Sequence, residues 1–220
     1  NEHYKQNVCQ CIRQWHYTEA NRNSIDMMLA VNGIPVVAIE LKNQLTGQSV
    51  DDAMRQWEYN RNPKEYAFGF NKRVLAYFAC DLYNVYMTTQ LNGAETVFLP
   101  FNQGSNGAGK DGGAGNPTTE DGKYVTSYFW ENVLQKDKLL DILQKFISYE
   151  RSEKKKIMPD GSTKTTVSSK VIFPRYHQLD VVRELVSHVR ENGAGHNYLI
   201  QHSAGSGKSN SIAWTAYRMA

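Results

Sequence analysis

The strongest constraint on the fold lies in residues 25–42, "IDMMLAVNGIPVVAIELK". Two apolar runs flank Asn32-Gly33, a dipeptide suited to a tight hairpin turn. Strand side chains alternate between faces. In the second run Val37, Ile39 and Leu41 therefore share one face, and Glu40 and Lys42 share the other. The first run offers Ile25, Met27, Leu29 and Val31 on one face and Asp26 on the opposite one. A plain two-residue turn would pair Asp26 with Ile39 and Ile25 with Glu40, mixing charge with apolar surface. A three-residue loop (32–34), or an equivalent one-residue bulge, shifts the pairing by one. Ile25 then meets Leu41, Met27 meets Ile39, Leu29 meets Val37, and Asp26 lies opposite Glu40. Burial decides register, so the shifted pairing is expected, with Gly33 supplying the left-handed position or bulge.

Around this hairpin the pattern is mixed. Tyr4 to Trp15 reads as an N-terminal helix. Ser49 to Pro63, "SVDDAMRQWEYNRNP", has helix start and stop signals. Ala67 to Thr89 is rich in aromatic and β-branched residues and reads as further strands. Residues 102–123 form a glycine-rich loop, and Glu131 to Glu150 carries helical apolar periodicity. The charged stretch Glu150 to Lys170 reads as a linker or an exposed hairpin, and as a domain boundary. Its "KKK" run, Lys154 to Lys156, is read first as a solvated face, with contact to duplex phosphates as the alternative. Beyond it come a helix from about Tyr176 to Arg190, a short strand "NYLIQH", the loop "SAGSGKS" and another helix. The resulting expectation is an α/β chain with residues 1–150 as one domain, 151–170 as linker and 171–220 as the start of a second.

Composition narrows the function classes only a little. The 220 residues are 40% apolar, enough for a sizeable core, and the net charge of +3 permits a nucleic-acid partner without arguing for one. Three cysteines in no framework spacing are expected to be free thiols in a reducing compartment. No apolar run approaches the roughly 20 residues needed to span a bilayer, and no signal peptide opens the chain. A cytoplasmic protein that stays off membranes is the expectation.

Chemistry concentrates at the end of the hairpin. Two carboxylates brought close together raise each other's proton affinity. A hard divalent cation removes that cost, and Mg²⁺ typically takes one or two carboxylates, with water and phosphate completing its shell. Lys42 beside them could hold a water or neutralise charge on a pentavalent phosphorus. Asp26, Glu40 and Lys42 thus suit metal-assisted hydrolysis of a phosphodiester. The plainer alternative is a strand-end salt bridge from Lys42 to either acid.

Two stretches look like phosphate loops. "GSNGAGKD" (104–111) has Asp111 where a Ser or Thr should hold Mg²⁺, and no strand leads into it, so it is read as an ordinary loop. "HSAGSGKS" has His202 in place of the first glycine but keeps Gly205, Ser206, Gly207, Lys208 and Ser209. There the glycines would let the backbone wrap phosphate, Lys208 would reach the β/γ-phosphates of ATP, and Ser209 would ligate Mg²⁺.

At this point the residues resemble known families. Asp26, Glu40-Leu41-Lys42 and a helix bearing Gln56 and Tyr59 resemble the PD-(D/E)xK nuclease fold, a mixed sheet with flanking helices. The resemblance implies that Asp26, Glu40 and the Leu41 carbonyl bind metal, that Lys42 assists catalysis, and that Gln56 and Tyr59 orient the site or touch DNA. The helix motif is usually Gln-x-x-x-Tyr, whereas here Tyr59 stands three residues after Gln56 and Asn60 stands four. "SAGSGKS" resembles the nucleotide loop of superfamily 2 helicases, the opening of a RecA-like lobe, and "FPRYHQLDVV" resembles their Q-motif. That implies an adenine contact for Gln178 and a stacking role for Tyr176. The order of both parts, with "FLPFNQG" and "YVTSYFWENVLQKDKLLDILQKF" between them, is similar to the restriction subunit of type I restriction-modification enzymes. The implied function is ATP-driven translocation and cleavage of double-stranded DNA, with methyltransferase and specificity subunits as partners. No Asp-Glu-x-His motif or second lobe follows, so the chain is expected to be a fragment without motor activity. A DNA-repair helicase-nuclease, and a non-cutting DNA-binding or docking domain, are the alternatives.

Overall fold

The computed structural model describes residues 2–105, 113–119, 122–157 and 162–220. The rest of the look-alike loop 104–111, from residue 106 on, lies outside them. The chain divides into two compact units. The first comprises 1–99 and 147–173, the second 100–146 and 174–220. The chain passes between these units three times.

The first unit is built on a sheet in the order β1-β2-β3-β4-β5-β6. Its strands are β1 (Cys9–His16), β2 (Ser24–Val31), β3 (Ile34–Leu41), β4 (Ala76–Cys80), β5 (Val85–Thr88) and the short β6 (Leu99–Pro100). β1–β2, β2–β3 and β4–β5 are antiparallel, and β3–β4 is parallel. A mixed sheet results, with β3 bonded on both sides and buried along its interior.

The hairpin register agrees with the apolar pattern. Met27 pairs with Ile39 and Leu29 with Val37. Next to these, Ala30 pairs with Pro35 and Val31 with Ile34, so Val36 is the extra residue of a bulge. Gly33 supplies the expected left-handed position, but the register shift does not fall at the turn. Asn32 (φ 52°) and Gly33 (φ 80°) make a tight two-residue turn with both residues left-handed, and the bulge sits inside β3. The ladder ends at Met27 and Ile39, two residues short of the expected Ile25–Leu41 pair, so the expected Asp26–Glu40 pair is not part of it.

The expected N-terminal helix is also corrected. Only α1 (Glu2–Lys5) is helical, and Cys9 to His16 is a strand. β1 is bonded on one side only and its side chains are mostly exposed. It therefore carries neither an apolar run nor clean alternation.

α2 (Val50–Tyr59) follows β3 and starts on Ser49, whose backbone N–H donates to the Asp52 carboxylate at 2.8 Å. Its Val50, Ala53 and Trp57 pack on Ile25, Ala38, Tyr77 and Ala79 of the sheet, with Phe68 alongside. Trp57 donates its indole N–H to the Phe78 carbonyl at 2.9 Å. Buried Asp81 ties this layer together. Its carboxylate accepts from Val50 N–H at the helix start (2.9 Å), from Gln44 (2.6 Å), and from Tyr83 N–H and Asn84 N–H in the β4–β5 turn (2.8 and 2.7 Å).

The charged stretch after residue 147 is a hairpin, β7 (Ser148–Ile157) with β8 (Thr163–Ile172), and belongs to the first unit. Its base is anchored there. Phe173 meets Phe78 edge-on at 5.8 Å, and the Thr89 hydroxyl donates to the Val171 carbonyl at 2.9 Å. Lys154, Lys155 and Lys164 lie exposed toward its far end.

In the second unit the single helix expected over 131–150 is shorter. A π-helical turn at Phe129–Val133 precedes α3 (Lys136–Lys145), because Gln135 adopts an extended ψ of 143° between them. α4 (Tyr176–Asn192) and α5 (Lys208–Met219) complete the unit. Phe101, Tyr128 and Tyr176 form an aromatic cluster, and Phe146 packs on Trp214. Arg218 bonds both oxygens of Asp141 at 2.9 Å. The predicted strand "NYLIQH" is corrected to irregular backbone with no ladder partner among the described residues, and Leu199 is 95% exposed.

Candidate functional site

The hairpin, the parallel β3–β4 pair and α2 converge where β3 ends. Beyond the last ladder pair, the Asp26 carboxylate takes over from the backbone. Its Oδ2 accepts from Leu41 N–H at 2.8 Å, and its Oδ1 accepts from the Gln14 amide at 3.1 Å. Gln14 is left-handed (φ 48°) and interrupts the β1 ladder opposite Asp26. Glu40 lies beside Asp26 and is fully buried. Lys42, the residue after β3, donates from Nζ to Gln56 Oε1 on α2 at 2.6 Å. Four of the expected residues, Asp26, Glu40, Lys42 and Gln56, thus gather at the end of one hairpin. Tyr59 is 69% exposed and, with Asn60, lines a groove of about 280 Å³ beside Lys42, Gln48, Asp52, Arg55 and Gln56.

Arg61 is a neighbour of Glu40 that the sequence reading missed. Its side chain is 4% exposed. Nε and Nη2 both donate to Glu40 Oε1, at 3.0 and 2.6 Å, and Nη2 also donates to the Ser24 carbonyl at 2.7 Å. The predicted strand-end salt bridge is therefore redirected. Glu40 pairs with Arg61, while Lys42 turns to Gln56. Glu40 Oε2 is buried and has no hydrogen-bond partner. Burial pushes the Glu40 carboxyl up to about 7, Arg61 pulls it back, and Asp26 adds to the rise.

The second unit holds the other expected cluster. Gly205 (φ 72°) and Gly207 (φ 81°) bend the loop "SAGSGKS" ahead of α5. Three successive loop carbonyls are held by the start of α4. Arg175 donates to Gly205 O at 2.9 Å, His177 Nε2 lies 2.9 Å from Ser206 O, and the Gln178 amide donates to Gly207 O at 2.9 Å. Burial lowers the His177 pKa. A Cβ at position 207 would collide with the Gln178 amide, so glycine is required there twice over, by space and by φ. Gln178 also accepts from Arg175 N–H at 2.9 Å, so both ends of its amide are engaged within the chain. Tyr176 hydrogen-bonds to Gln103 at 3.1 Å. Lys208 Nζ donates to the carbonyls of His202 (3.3 Å) and Ser203 (3.0 Å), and Ser209 is exposed. Ser206 Oγ and His202 Nδ1 are buried without hydrogen-bond partners.

Among the described residues no group of three or more His, Cys, Asp or Glu side chains could hold a metal ion. The hairpin site is instead a two-carboxylate arrangement, Asp26 beside Glu40. That donor set, together with an unpartnered buried carboxylate oxygen, fits a hard cation that completes its shell with water.

A mixed α/β sheet carrying two carboxylates, a lysine and a glutamine at a hairpin's end defines the class. Residues 1–103 match the family described as type I restriction enzyme R protein N terminus. The match includes Asp26, Glu40, Lys42, Gln56 and Tyr59. No curated protein matches the chain. No helix among the described residues is long and apolar enough to cross a membrane.

Proposed function

We propose that the first unit is a Mg²⁺-dependent DNA endonuclease of the PD-(D/E)xK kind, acting in a type I restriction enzyme. The observation that carries the reading is the convergence of Asp26, Glu40 and the Lys42–Gln56 pair at one strand end. The match of residues 1–103 to the type I restriction enzyme R protein N terminus supports it.

Asp26, Glu40 and the Leu41 carbonyl would hold the ion. Bound Mg²⁺ supplies a Lewis acid and a water of lowered pKa. The chain's own part is positional. The Leu41 N–H fixes one Asp26 oxygen, and Arg61 fixes one Glu40 oxygen. Gln56 holds the Lys42 ammonium at the groove, where it can neutralise charge on the phosphoryl oxygens or orient a water.

In the second unit the loop at Gly205 to Ser209 would bind ATP, with Lys208 leaving its loop carbonyls to reach the phosphates. Gln178 would serve adenine only after releasing Gly207 O. Double-stranded DNA is the substrate, and methyltransferase and specificity subunits are the partners. DNA cleavage by the assembled R subunit with its partner subunits, ATP and Mg²⁺ tests this. Lys42→Ala is expected to lower cleavage at least about a hundredfold while leaving ATP hydrolysis intact. Undiminished cleavage would sink the assignment.

A further inference from the structure

The β7–β8 hairpin takes no part in the site described above. Each strand has ten residues, and no third strand lies beside them. Past the base both faces are open to solvent: the described side chains from Ser148 to Ile157 and from Thr163 to Ser168 are exposed. A two-stranded ribbon that covers no core is at best marginally stable in water. Packing therefore does not account for its length.

Its charge is distinctive. Residues 148–172 carry six bases (Arg151, Lys154, Lys155, Lys156, Lys164 and Lys170) and three acids (Glu150, Glu153 and Asp160). Their net charge of +3 equals that of the whole chain, so the rest of the chain sums to zero. The charge is also sorted along the ribbon. Toward the base Glu150 pairs with Lys170 at 2.9 Å, and Glu153 pairs with Arg151 at 3.3 Å. Among the described residues no carboxylate pairs with Lys154, Lys155 or Lys164. Lys154 lies opposite Thr166 and Lys155 opposite Thr165, so strand parity puts Lys154 and Lys164 on one face and Lys155 on the other.

We propose that the far half of this hairpin is a contact arm for the phosphate backbone of duplex DNA. This deepens the reading of double-stranded DNA as the substrate, and rests on it. The arm's lysines are interleaved with the exposed hydroxyls of Thr165, Thr166 and Ser168. Lys, Ser and Thr side chains are common donors to phosphate oxygens. Protein interfaces are depleted in Lys and draw most of their energy from aromatic and Arg anchors, and residues 154–167 contain neither. The lack of aromatic rings also removes the stacking platform that single strands use. Lysines on both faces can reach phosphates on either side of a groove, and the major groove of B-DNA admits a two-stranded ribbon.

The test is fluorescence anisotropy of the full chain on a short labelled duplex in EDTA, over a range of salt concentrations. Each phosphate neutralised contributes about 0.9 to the slope of log affinity against log salt. Exchanging Lys154, Lys155 and Lys164 together for Gln is expected to weaken duplex binding at least about tenfold at low salt and to reduce that slope by about 2 to 3. The matching triple Arg variant keeps the charge and should stay near wild type. Exchanging Lys5, Lys72 and Lys138, which are exposed elsewhere, for Gln should leave the slope within about 0.5 of wild type. Should the triple Gln variant misfold by circular dichroism, Lys155→Gln and Lys164→Gln singly should each reduce the slope by about 1. An unchanged slope would return these lysines to a solvated face and overturn the proposal. So would wild type that binds no duplex at low salt, an equal loss in the control variant, or a single strand that binds more tightly than the duplex. Weakened association with the partner subunits, with duplex binding intact, would make the arm a protein contact and overturn it too. None of these outcomes touches the nuclease reading, which Lys42→Ala cleavage decides separately.

Discussion

Glu40 is the residue on which two requirements meet. Its place on a central strand between two packed faces removes it from water, and burial raises its carboxyl from 4.5 to about 7. The sign of the linked stability follows. Because the folded chain holds this proton more tightly than the unfolded chain, the contribution is fully present below about pH 4.5. It is lost as the pH rises to about 7 and is flat above that. The amount is on the order of 3 kcal/mol. Urea denaturation of the metal-free chain should show this decline between pH 5 and 7, and Glu40→Gln should remove it. A wild-type curve that rises across that interval would contradict the assignment. Strand parity places Asp26, Glu40 and Lys42 at the hairpin's end without knowledge of the rest of the chain, whereas Gln56 was singled out only by the resemblance to the nuclease fold. Arg61 was not legible. It stands 21 residues from Glu40, in a loop after α2, and nothing in "YNRNP" marks a buried ion pair. Long-range pairs of this kind leave no periodic trace.

At the level of elements, the β2–β3 hairpin was the most readable part of the chain. Only one register buries both apolar faces, and the observed pairs Met27–Ile39 and Leu29–Val37 belong to it. The position of the bulge was not readable, since a shift at Gly33 and a shift at Val36 produce the same pairing further along. β1 was misread because an edge strand with an exposed face shows no alternation. "NYLIQH" was misread in the opposite direction, since apolar character alone makes no strand without a ladder partner. The attachment of α2 to the sheet depends on Asp81, which accepts from the helix start and from the β4–β5 turn together. Asp81→Ala leaves Val50, Tyr83 and Asn84 N–H groups without that acceptor. It is expected to cost about 2–4 kcal/mol in chemical denaturation. Because Gln56 rides on the same helix, Lys42 should lose its partner's fixed position as well. A loss below about 0.5 kcal/mol would show that water replaces the carboxylate without penalty.

On the scale of the whole chain, neither unit is a single stretch of sequence. The first is closed by residues 147–173, which return after the second has begun. The family match ends at residue 103, yet Phe173 packs on Phe78 and Val171 receives the Thr89 hydroxyl from beyond that point. A chain cut at residue 103 should therefore be less stable than the full chain by several kcal/mol, about 2 kcal/mol for each large apolar side chain left uncovered. Thermal denaturation of both measures the difference, and equal stability would show that the returning hairpin only rests on the sheet. The same threading has a consequence for biosynthesis. A ribosome releases β4 and β5 on the order of several seconds before it releases the residues that cover Phe78. During that interval a fully formed sheet would still expose an aromatic face, and the nascent chain is a client for whatever shields apolar surface at the tunnel exit.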